Sequence, residues 1–349
     1  MQNDVIKDHS ILDPSINRQN KTALEQRGNQ LDLGAPVTGA VAIGDGIAAS
    51  FGDGLVRLFR PDQTITSINA HDGVILCLAA DDDCVLTGGQ DGKFLRISSD
   101  GTTVELANFG TKWVDCVAAT QGLRACSSGK IAYVWSNDGT NAAKLEHLST
   151  VGGLSFDTKG ERLAVAHYGG VAIWEKRKGQ WKRSRLIWQG SHGAVTFSPD
   201  GRYIVTAMQE NALHGWRIRG KINLAMAGYP AKTKSFAWLG NTPYLITSGA
   251  NEAICWPFDG QKGPMDRSPI CVATHGKNIT TCVQALPSKH SIFAGFQDGT
   301  VLLAELDESK GPSLLRRASG AEVTAIAITE SESHILIGDA KGQVLWAQL

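Results

Sequence analysis

The sequence has no excess of either charge and no long apolar segment. Among its 349 residues, 34 Lys and Arg balance 34 Asp and Glu, so the formal net charge is zero. A neutral chain has no overall field to draw it to nucleic acid or to an anionic membrane surface, and this composition disfavours both partners. No stretch approaches the ~18 uninterrupted apolar residues of a membrane span, and residues 1–30 contain no apolar core of a signal peptide. We therefore expect a cytoplasmic protein without membrane attachment.

Cysteine is scarce and lacks a functional spacing. The seven cysteines are an odd number, none belongs to a C-x-x-C pair, and most lie inside apolar runs, as Cys77, Cys116 and Cys282 do. A disulfide framework needs an even set in an oxidising compartment. We expect small buried hydrophobic side chains in a reducing compartment, and neither a thiol nucleophile nor a structural metal.

Local catalytic motifs are also missing. The sequence contains no G-x-S-x-G, H-E-x-x-H, G-x-x-x-x-G-K-[ST] or G-x-G-x-x-G. Several of these motifs need a strand-to-helix junction, and the chain has almost no helical periodicity. The acidic run at residues 81–83 lacks the alternate spacing of calcium ligands and predicts a solvated turn. We expect no cofactor and no enzymatic activity.

What the sequence does contain is a repeat. Residues 195–207, VTFSPDGRYIVTA, read as two apolar strands joined by a Pro-Asp-Gly turn. A third strand follows and ends in an aromatic residue, and this unit recurs along the chain. The last residues of the third strands, at intervals of 38 to 48 residues, are Phe59, Ile97, Trp135, Trp174, Trp216, Trp256, Ala304 and Trp346. A period near 40 with four short strands per unit is typical of an all-β propeller.

The chain resembles the WD-repeat (WD40-like) family over residues 30–349. The resemblance rests on FSPDG at residues 197–201, on the turns GDG and QDG, and on the Val/Ile/Leu-Trp strand ends. One feature departs from the family pattern, because the Asp expected after each Trp is replaced by Ser136, Glu175, Arg217, Pro257 and Ala347. The resemblance implies a WD40-like β-propeller.

The third strands predict eight blades, with seven as the alternative if one unit is irregular. The chain stops just after the last third strand, so the final blade lacks an outer strand, which residues 29–34 can supply. Such a strand would close the ring and remove an exposed sheet edge. We expect a single propeller domain over residues 29–349 and a polar tail or edge wrap over residues 1–28, with residues 1–25 dispensable for stability.

The resemblance also implies hydrogen-bonded sets inside the blades. In the family, a His before the first strand pairs with an Asp in the turn between the second and third strands, a Ser or Thr in the second strand, and the Trp. The matching residues are His71, Thr87 and Asp91, then His192, Thr206 and Trp216 with Glu210 in place of Asp, and finally His275 and Asp298. We interpret these residues as structural.

Two readings of the function remain open. The first is a non-catalytic scaffold that binds a protein or peptide on the propeller faces, with an acidic segment as one candidate partner, and acts as a monomer or as part of a hetero-complex. The alternative is a propeller enzyme with a site in the central funnel. Acid and base side chains that converge in the funnel would favour the enzyme.

Partner-binding candidates lie on the face formed by the loops that lead into first strands and the turns between second and third strands, here called the loop face. These candidates are Lys112, Trp113, Lys130, Lys232, Lys234, Lys277 and Lys341. Trp113 would be the apolar anchor, and the lysines would steer an acidic segment. Ordinary solvated lysines at loop positions are the alternative interpretation.

A second candidate is a basic hairpin between strands three and four of the fourth blade. Its six basic residues within ten positions are Lys176, Arg177, Lys178, Lys182, Arg183 and Arg185. The hairpin is either a contact for an acidic partner or a solvated outer hairpin whose aliphatic stems cover the sheet.

Overall fold

The computed structural model describes residues 21–136, 142–240, 243–307 and 311–349. Nearly all regular structure in these ranges is antiparallel β-sheet, built from units of four strands. The strands preceding and forming the first three units are β1 (Asn29–Asp32); β2 (Val37–Ile43), β3 (Gly46–Phe51), β4 (Leu55–Phe59) and β5 (Ile65–Asn69); β6 (Ile75–Asp81), β7 (Cys84–Gly89), β8 (Lys93–Ser98) and β9 (Thr103–Asn108); and β10 (Cys116–Thr120), β11 (Leu123–Ser128), β12 (Ile131–Ser136) and β13 (Ala143–Glu146).

The next six strands form one continuous sheet that contains units 4 and 5. They are β14 (Val151–Phe156), β15 (Arg162–Arg177), β16 (Gln180–Phe197), β17 (Tyr203–Met208), β18 (Leu213–Arg217) and β19 (Ile222–Met226). In β15, residues 163–167 pair with β14, whereas residues 168–177 pair with β16. The Lys176 amide donates to the Glu161 carbonyl at 3.0 Å, so β15 folds back on itself and supplies two strands of unit 4.

Units 6 to 8 return to four separate strands each. They comprise β20 (Phe236–Trp238), β21 (Tyr244–Thr247), β22 (Ala253–Pro257) and β23 (Ile270–Val272); β24 (Thr280–Leu286), a 3-10 turn (Pro287–Lys289), β25 (Ser291–Phe296), β26 (Val301–Glu305) and β27 (Ser313–Arg316); and β28 (Val323–Ile328), β29 (His334–Asp339) and β30 (Gln343–Gln348), completed by β1.

The all-β propeller is confirmed, and the blade number needs a correction. Hydrogen-bonded sheets number seven in the described residues, six of four strands and one of six. Seven was the alternative count, and it arises because the backbone between units 4 and 5 stays extended and pairs Tyr168 with Ser191. The eight repeat units seen in the sequence are nevertheless all present, distributed over seven sheets.

The core lies between consecutive units. The described residues form eight apolar clusters, and each cluster joins side chains of two neighbouring units. Trp216 packs between units 4 and 5, and Trp346 packs with Phe59 between units 8 and 1. Their ring centroids lie 5.9 Å apart. The aromatic ends of the third strands therefore serve as inter-unit contacts.

Arginines also link neighbouring units, on the side of the ring opposite the loop face. The Asp81 carboxylate is buried and accepts from Arg96 Nε at 2.7 Å and from Arg124 Nε, in the next unit, at 2.6 Å. The expectation of a fully solvated acidic turn was wrong at Asp81, because two guanidinium groups compensate its burial. Arg162 likewise spans units 4 and 5 by binding Asp157 and the Gly201 carbonyl.

The N-terminal strand closes the ring, as predicted. Asn29 to Asp32 pair antiparallel with Trp346 to Gln343, so β1 is the outer strand of unit 8. A short helix, α1 (Ala23–Arg27), precedes β1 and has a capping box formed by Thr22 and Glu25. Leu24 is buried in the cluster between units 7 and 8. Residues 21–28 therefore wrap the sheet edge, and residues 1–20 lie outside the described part.

No helix in the described ranges is long and apolar enough to cross a membrane.

Removal of β1 should destabilise the whole ring. Deletion of residues 1–33 exposes the edge of β30 and uncovers Leu345, and it also removes Leu24. Loss of one buried leucine side chain alone costs about 2–5 kcal/mol. The expectation that residues 1–25 are dispensable is therefore revised, because that deletion also removes Leu24. We expect deletion of residues 1–33 to lower the Tm measured by circular dichroism strongly, relative to deletion of residues 1–20. Equal Tm values for these two truncations would contradict closure of the ring by β1.

Candidate functional site

The wall of the central funnel carries almost no acid–base chemistry. The first strands of consecutive units contact one another around the axis, as β2 contacts β6 and β24 contacts β28. In these strands, all within the described residues, the one charged or His side chain is Asp81, which two arginines already bind. The strands are β2, β6, β10, β14, residues 193–197 of β16, β20, β24 and β28. Acid and base groups therefore do not converge along these strands, and the charged groups next to their loop-face ends include Asp115, which accepts from Ser127, and the Lys234–Glu322 ion pair.

The thiols near the funnel are poor nucleophiles. Cys77 and Cys116 lie on first strands, and Cys126 lies close to both. Burial raises the pKa of the Cys77 and Cys126 thiols well above the usual value and that of Cys116 to about 12. Because the thiolate is the reactive form, these side chains behave as small apolar residues.

The loop face is held together by backbone hydrogen bonds between units. The Phe109 amide donates to the Gly92 carbonyl at 2.9 Å, which ties the loop before β10 to the β7–β8 turn. The Leu33 amide makes the equivalent bond to Gly342 at 3.0 Å. In these units the turn between the second and third strands is thus bonded to the loop that leads into the next unit.

The loop-face residues predicted from the sequence lie on this surface. Some of their side chains pair with neighbouring side chains, and others are exposed. Lys234 pairs with Glu322, two units away, at 2.9 Å, and Lys232 donates to the Gln209 side chain at 2.8 Å. The Trp113 side chain, in contrast, is 55% exposed. Four exposed lysines make no ion pair with any described residue: Lys112, Lys130, Lys277 and Lys341. Lys112 and Lys130 belong to unit 3, whereas Lys277 belongs to unit 7 and Lys341 to unit 8, so the four lysines do not form one cluster.

The hydrogen-bonded sets implied by the resemblance form only in part: those of His71 and His275 form as expected, but His192 hydrogen-bonds neither Glu210 nor Trp216, whose buried Nε1 has no partner among the described residues. His71 contacts Asp91 at 2.8 Å and Thr87 at 2.9 Å, and His275 contacts Asp298 at 3.0 Å. His192 contacts Thr206 at 2.7 Å and uses its other nitrogen for the Trp188 carbonyl at 3.1 Å. These imidazoles fix turns and are occupied by structural bonds.

Unit 6 contains a variant of this set that sequence reasoning missed. Tyr229 takes the position of the His, and its hydroxyl contacts Thr247 at 2.6 Å and accepts from Trp256 Nε1 at 2.7 Å. Burial raises the Tyr229 pKa to about 12, so the phenol stays neutral. The signal was a polar aromatic residue before a first strand, with Thr and Trp at the family spacing.

The basic hairpin divides its charges between two sides of the sheet. Arg183 and Arg185 share one side with Trp174, and the Arg183 guanidinium lies 5.6 Å from the Trp174 ring centroid. Arg177, on the other side, pairs with Glu175 at 2.6 Å, and Lys182 lies opposite Glu175. The remaining basic residues are Lys176, on the Trp174 side, and Lys178, in the turn with a φ of 50°.

An open cleft beside this hairpin was not identified from the sequence. It encloses about 180 Å³ at the top of unit 4. Its upper walls carry Leu148, Tyr168 and Ile187, whose side chains are 84%, 61% and 73% exposed. Arg183 and Arg185 line the rim. No local motif marks the site, because the three apolar residues come from separate segments.

Glycine geometry shapes this cleft. The turn from residue 167 to residue 170 reverses β15, and Gly170 has a φ of 133°. A Cβ at residue 170 would lie 2.1 Å from the Leu186 carbonyl oxygen, so only glycine allows this approach. The Tyr168 amide donates to Ser149 Oγ at 3.0 Å, which joins the turn to the loop that carries Leu148.

Comparison of the sequence with known families and curated proteins gives only a partial match. No family model matches the chain. It is 23% identical over 202 residues to centriole proteome protein 16 of Chlamydomonas reinhardtii, a match that covers 50% of this chain and 9% of that protein. This chain therefore matches only a small part of the length of its curated relative.

Solved structures are similar over most of the chain. The computationally designed Ika8 protein has a TM-score of 0.72 at 17% identity and covers 90% of this chain and 97% of its own. The C-terminal WD40 domain of Sif2 also has a TM-score of 0.72, at 12% identity, with 90% and 96% covered. U3-55K has a TM-score of 0.59 at 15% identity, with 79% and 95% covered. The fold is a WD40-like β-propeller.

Histidines around the loop face of units 4 and 5 should make stability depend on pH. Burial, with smaller repulsion from His167, lowers the pKa of His147 from 6.5 to about 4, and its Nε2 accepts from Trp174 Nε1 at 3.0 Å. Since the folded pKa is depressed, the unfolded chain binds more protons between pH 6.5 and 4, and stability falls as the pH falls through that window.

We expect His147→Asn to flatten the fall in Tm between pH 6.5 and 4, measured by thermal melts across that range. His290→Asn is the matched control, because His290 is exposed and lies far from the unit-4 cluster. An unchanged pH profile in the His147 variant would show that this imidazole does not resist protonation in the folded chain.

Proposed function

We propose that the chain is a non-catalytic scaffold that binds a protein or peptide partner on the loop face of its propeller. The observation that carries this proposal is Trp113, a large aromatic side chain left 55% exposed on a fixed loop. The adjacent Val114 is fully buried, and its amide donates to the Gly89 carbonyl at 3.1 Å. An exposed indole on a rigid backbone is typical of a binding anchor, because little entropy is lost when a partner covers it.

Charge near Trp113 supports an acidic partner segment. Lys112 adjoins the indole, and Lys130 lies in the turn of the same unit. Neither lysine pairs with a carboxylate among the described residues, so both charges are available to steer an acidic chain. Lys277 and Lys341 carry further unpaired positive charges on units 7 and 8, whereas Lys234 is engaged by Glu322.

The described funnel strands carry a single charged side chain, Asp81, which two arginines bind; together with the raised thiol pKa values, this supports a scaffold over the enzyme alternative. We place the protein in the cytoplasm, where its unexposed thiols stay reduced. It would act as a monomer or as one module of a hetero-complex. The match to part of a centriole proteome protein is compatible with a module in a larger assembly.

The loop-face proposal predicts that captured partners depend on Trp113. We expect Trp113→Ala, and separately a triple reversal of Lys112, Lys130 and Lys277 to Glu, to reduce capture of specific partners from native lysate about tenfold. Quantitative mass spectrometry of the captured proteins is the measurement. Folding is checked by Tm.

Reversal of Lys176, Arg177 and Lys178 to Glu is the matched control, since it changes charge equally but lies on the hairpin. Partners lost only in this control would refute binding through the loop face and assign it to the hairpin.

A further inference from the structure

The cleft of unit 4 groups exposed apolar side chains that elsewhere occur singly. Leu148, Tyr168 and Ile187 come from three segments and converge on one opening, with Val171 and Leu186 buried at its floor. By comparison, Val104, Ile222 and Leu314 are exposed one at a time on the outer strands of separate units. Exposure of a contiguous apolar cluster to water is unfavourable in free energy. Such a cluster on a protein surface is therefore typical of an interaction site.

The rim of the cleft is positively charged. Arg183 donates to the Glu146 backbone carbonyl at 3.3 Å and lies over Trp174, but it has no carboxylate partner among the described residues. Arg185 is exposed and likewise makes no ion pair within the described part of the chain. Two guanidinium groups beside an apolar opening favour carboxylates on whatever enters.

We propose that the unit-4 cleft is a second docking site, which binds an acidic peptide segment that inserts one apolar side chain. The inserted side chain would contact Leu148, Tyr168 and Ile187, while neighbouring Asp or Glu residues pair with Arg183 and Arg185. The cleft also lies on the loop face, but its lining does not include Trp113, so this proposal does not depend on binding at Trp113.

Charge complementarity selects this occupant over a second copy of the chain. A symmetric dimer through the cleft would bring the Arg183–Arg185 pairs of both copies together, and like charges across an interface oppose association. A cavity of about 180 Å³ is also suited to a single side chain rather than to a folded domain. The small contact area predicts a weak, reversible complex.

The test is a display selection with short random peptides on the intact chain, with counter-selection against an Arg183→Glu/Arg185→Glu variant. Affinities of the enriched synthetic peptides are then measured by fluorescence anisotropy. A second variant, Leu148→Ser/Ile187→Ser, alters only exposed side chains and should fold normally, which Tm verifies. Matched controls are Lys178→Glu/Lys182→Glu, with the same charge change on the hairpin, and Ile222→Ser, an exposed isoleucine on another unit.

We expect enriched peptides rich in Asp and Glu that contain Leu, Ile, Phe or Trp. Their affinity should fall about tenfold or more in both cleft variants, weaken with salt, and stay unchanged in both controls. Failure to enrich such peptides, or binding unaffected by the cleft variants, would overturn the proposal. Peptides that depend on Trp113 alone would support the loop-face proposal and reject this one, and a dimer abolished by Leu148→Ser/Ile187→Ser would assign the cleft to self-association.

Discussion

Contact between neighbouring sheets is the interaction on which the rest of the structure depends. Each unit has two apolar faces, and no unit can bury both without a neighbour on either side. The eight apolar clusters lie at the eight contacts between consecutive units, including the contact between unit 8 and unit 1. A linear array would leave two faces and an edge in water. The pairing of β1 with β30 therefore follows from the same requirement as the packing of Trp216 and Trp346.

The closed ring leaves the turns and inter-unit loops free to vary, and these segments carry the candidate sites. On one side, arginines such as Arg124 and Arg162 fasten adjacent units. On the loop face, histidines and backbone amides hold the turns in place, and Trp113 and the cleft residue Tyr168 project from this face. Trp113 extends from a loop fixed by buried Val114, and Tyr168 extends from a turn that Gly170 makes possible. Loops held by hydrogen bonds on a closed ring are suited to presenting such side chains to a partner.

The repeat was readable from sequence because packing requires the same side-chain types at the same place in each unit. The spacing of the third-strand aromatics and the missing outer strand of the last unit were enough to predict the ring and its closure. Local composition misled at Asp81, because Arg96 and Arg124, which compensate its burial, are 15 and 43 residues away. Local composition also did not predict the unit-4 cleft, because the exposure of Leu148, Tyr168 and Ile187 depends on how three separate segments meet. The sheet shared by units 4 and 5 was not predicted either, because it depends on the pairing of Tyr168 with Ser191.

Hydrogen exchange of the backbone amides, resolved by unit, tests most directly whether the propeller is one closed cooperative ring. In a closed ring, amides of β29 and β30 should exchange with the same opening free energy as those of β7 in unit 2, because β1 seals unit 8 and every unit depends on its neighbours. Rapid exchange confined to β28, β29 and β30, with slow exchange elsewhere, would show that unit 8 opens independently and would contradict the closed ring.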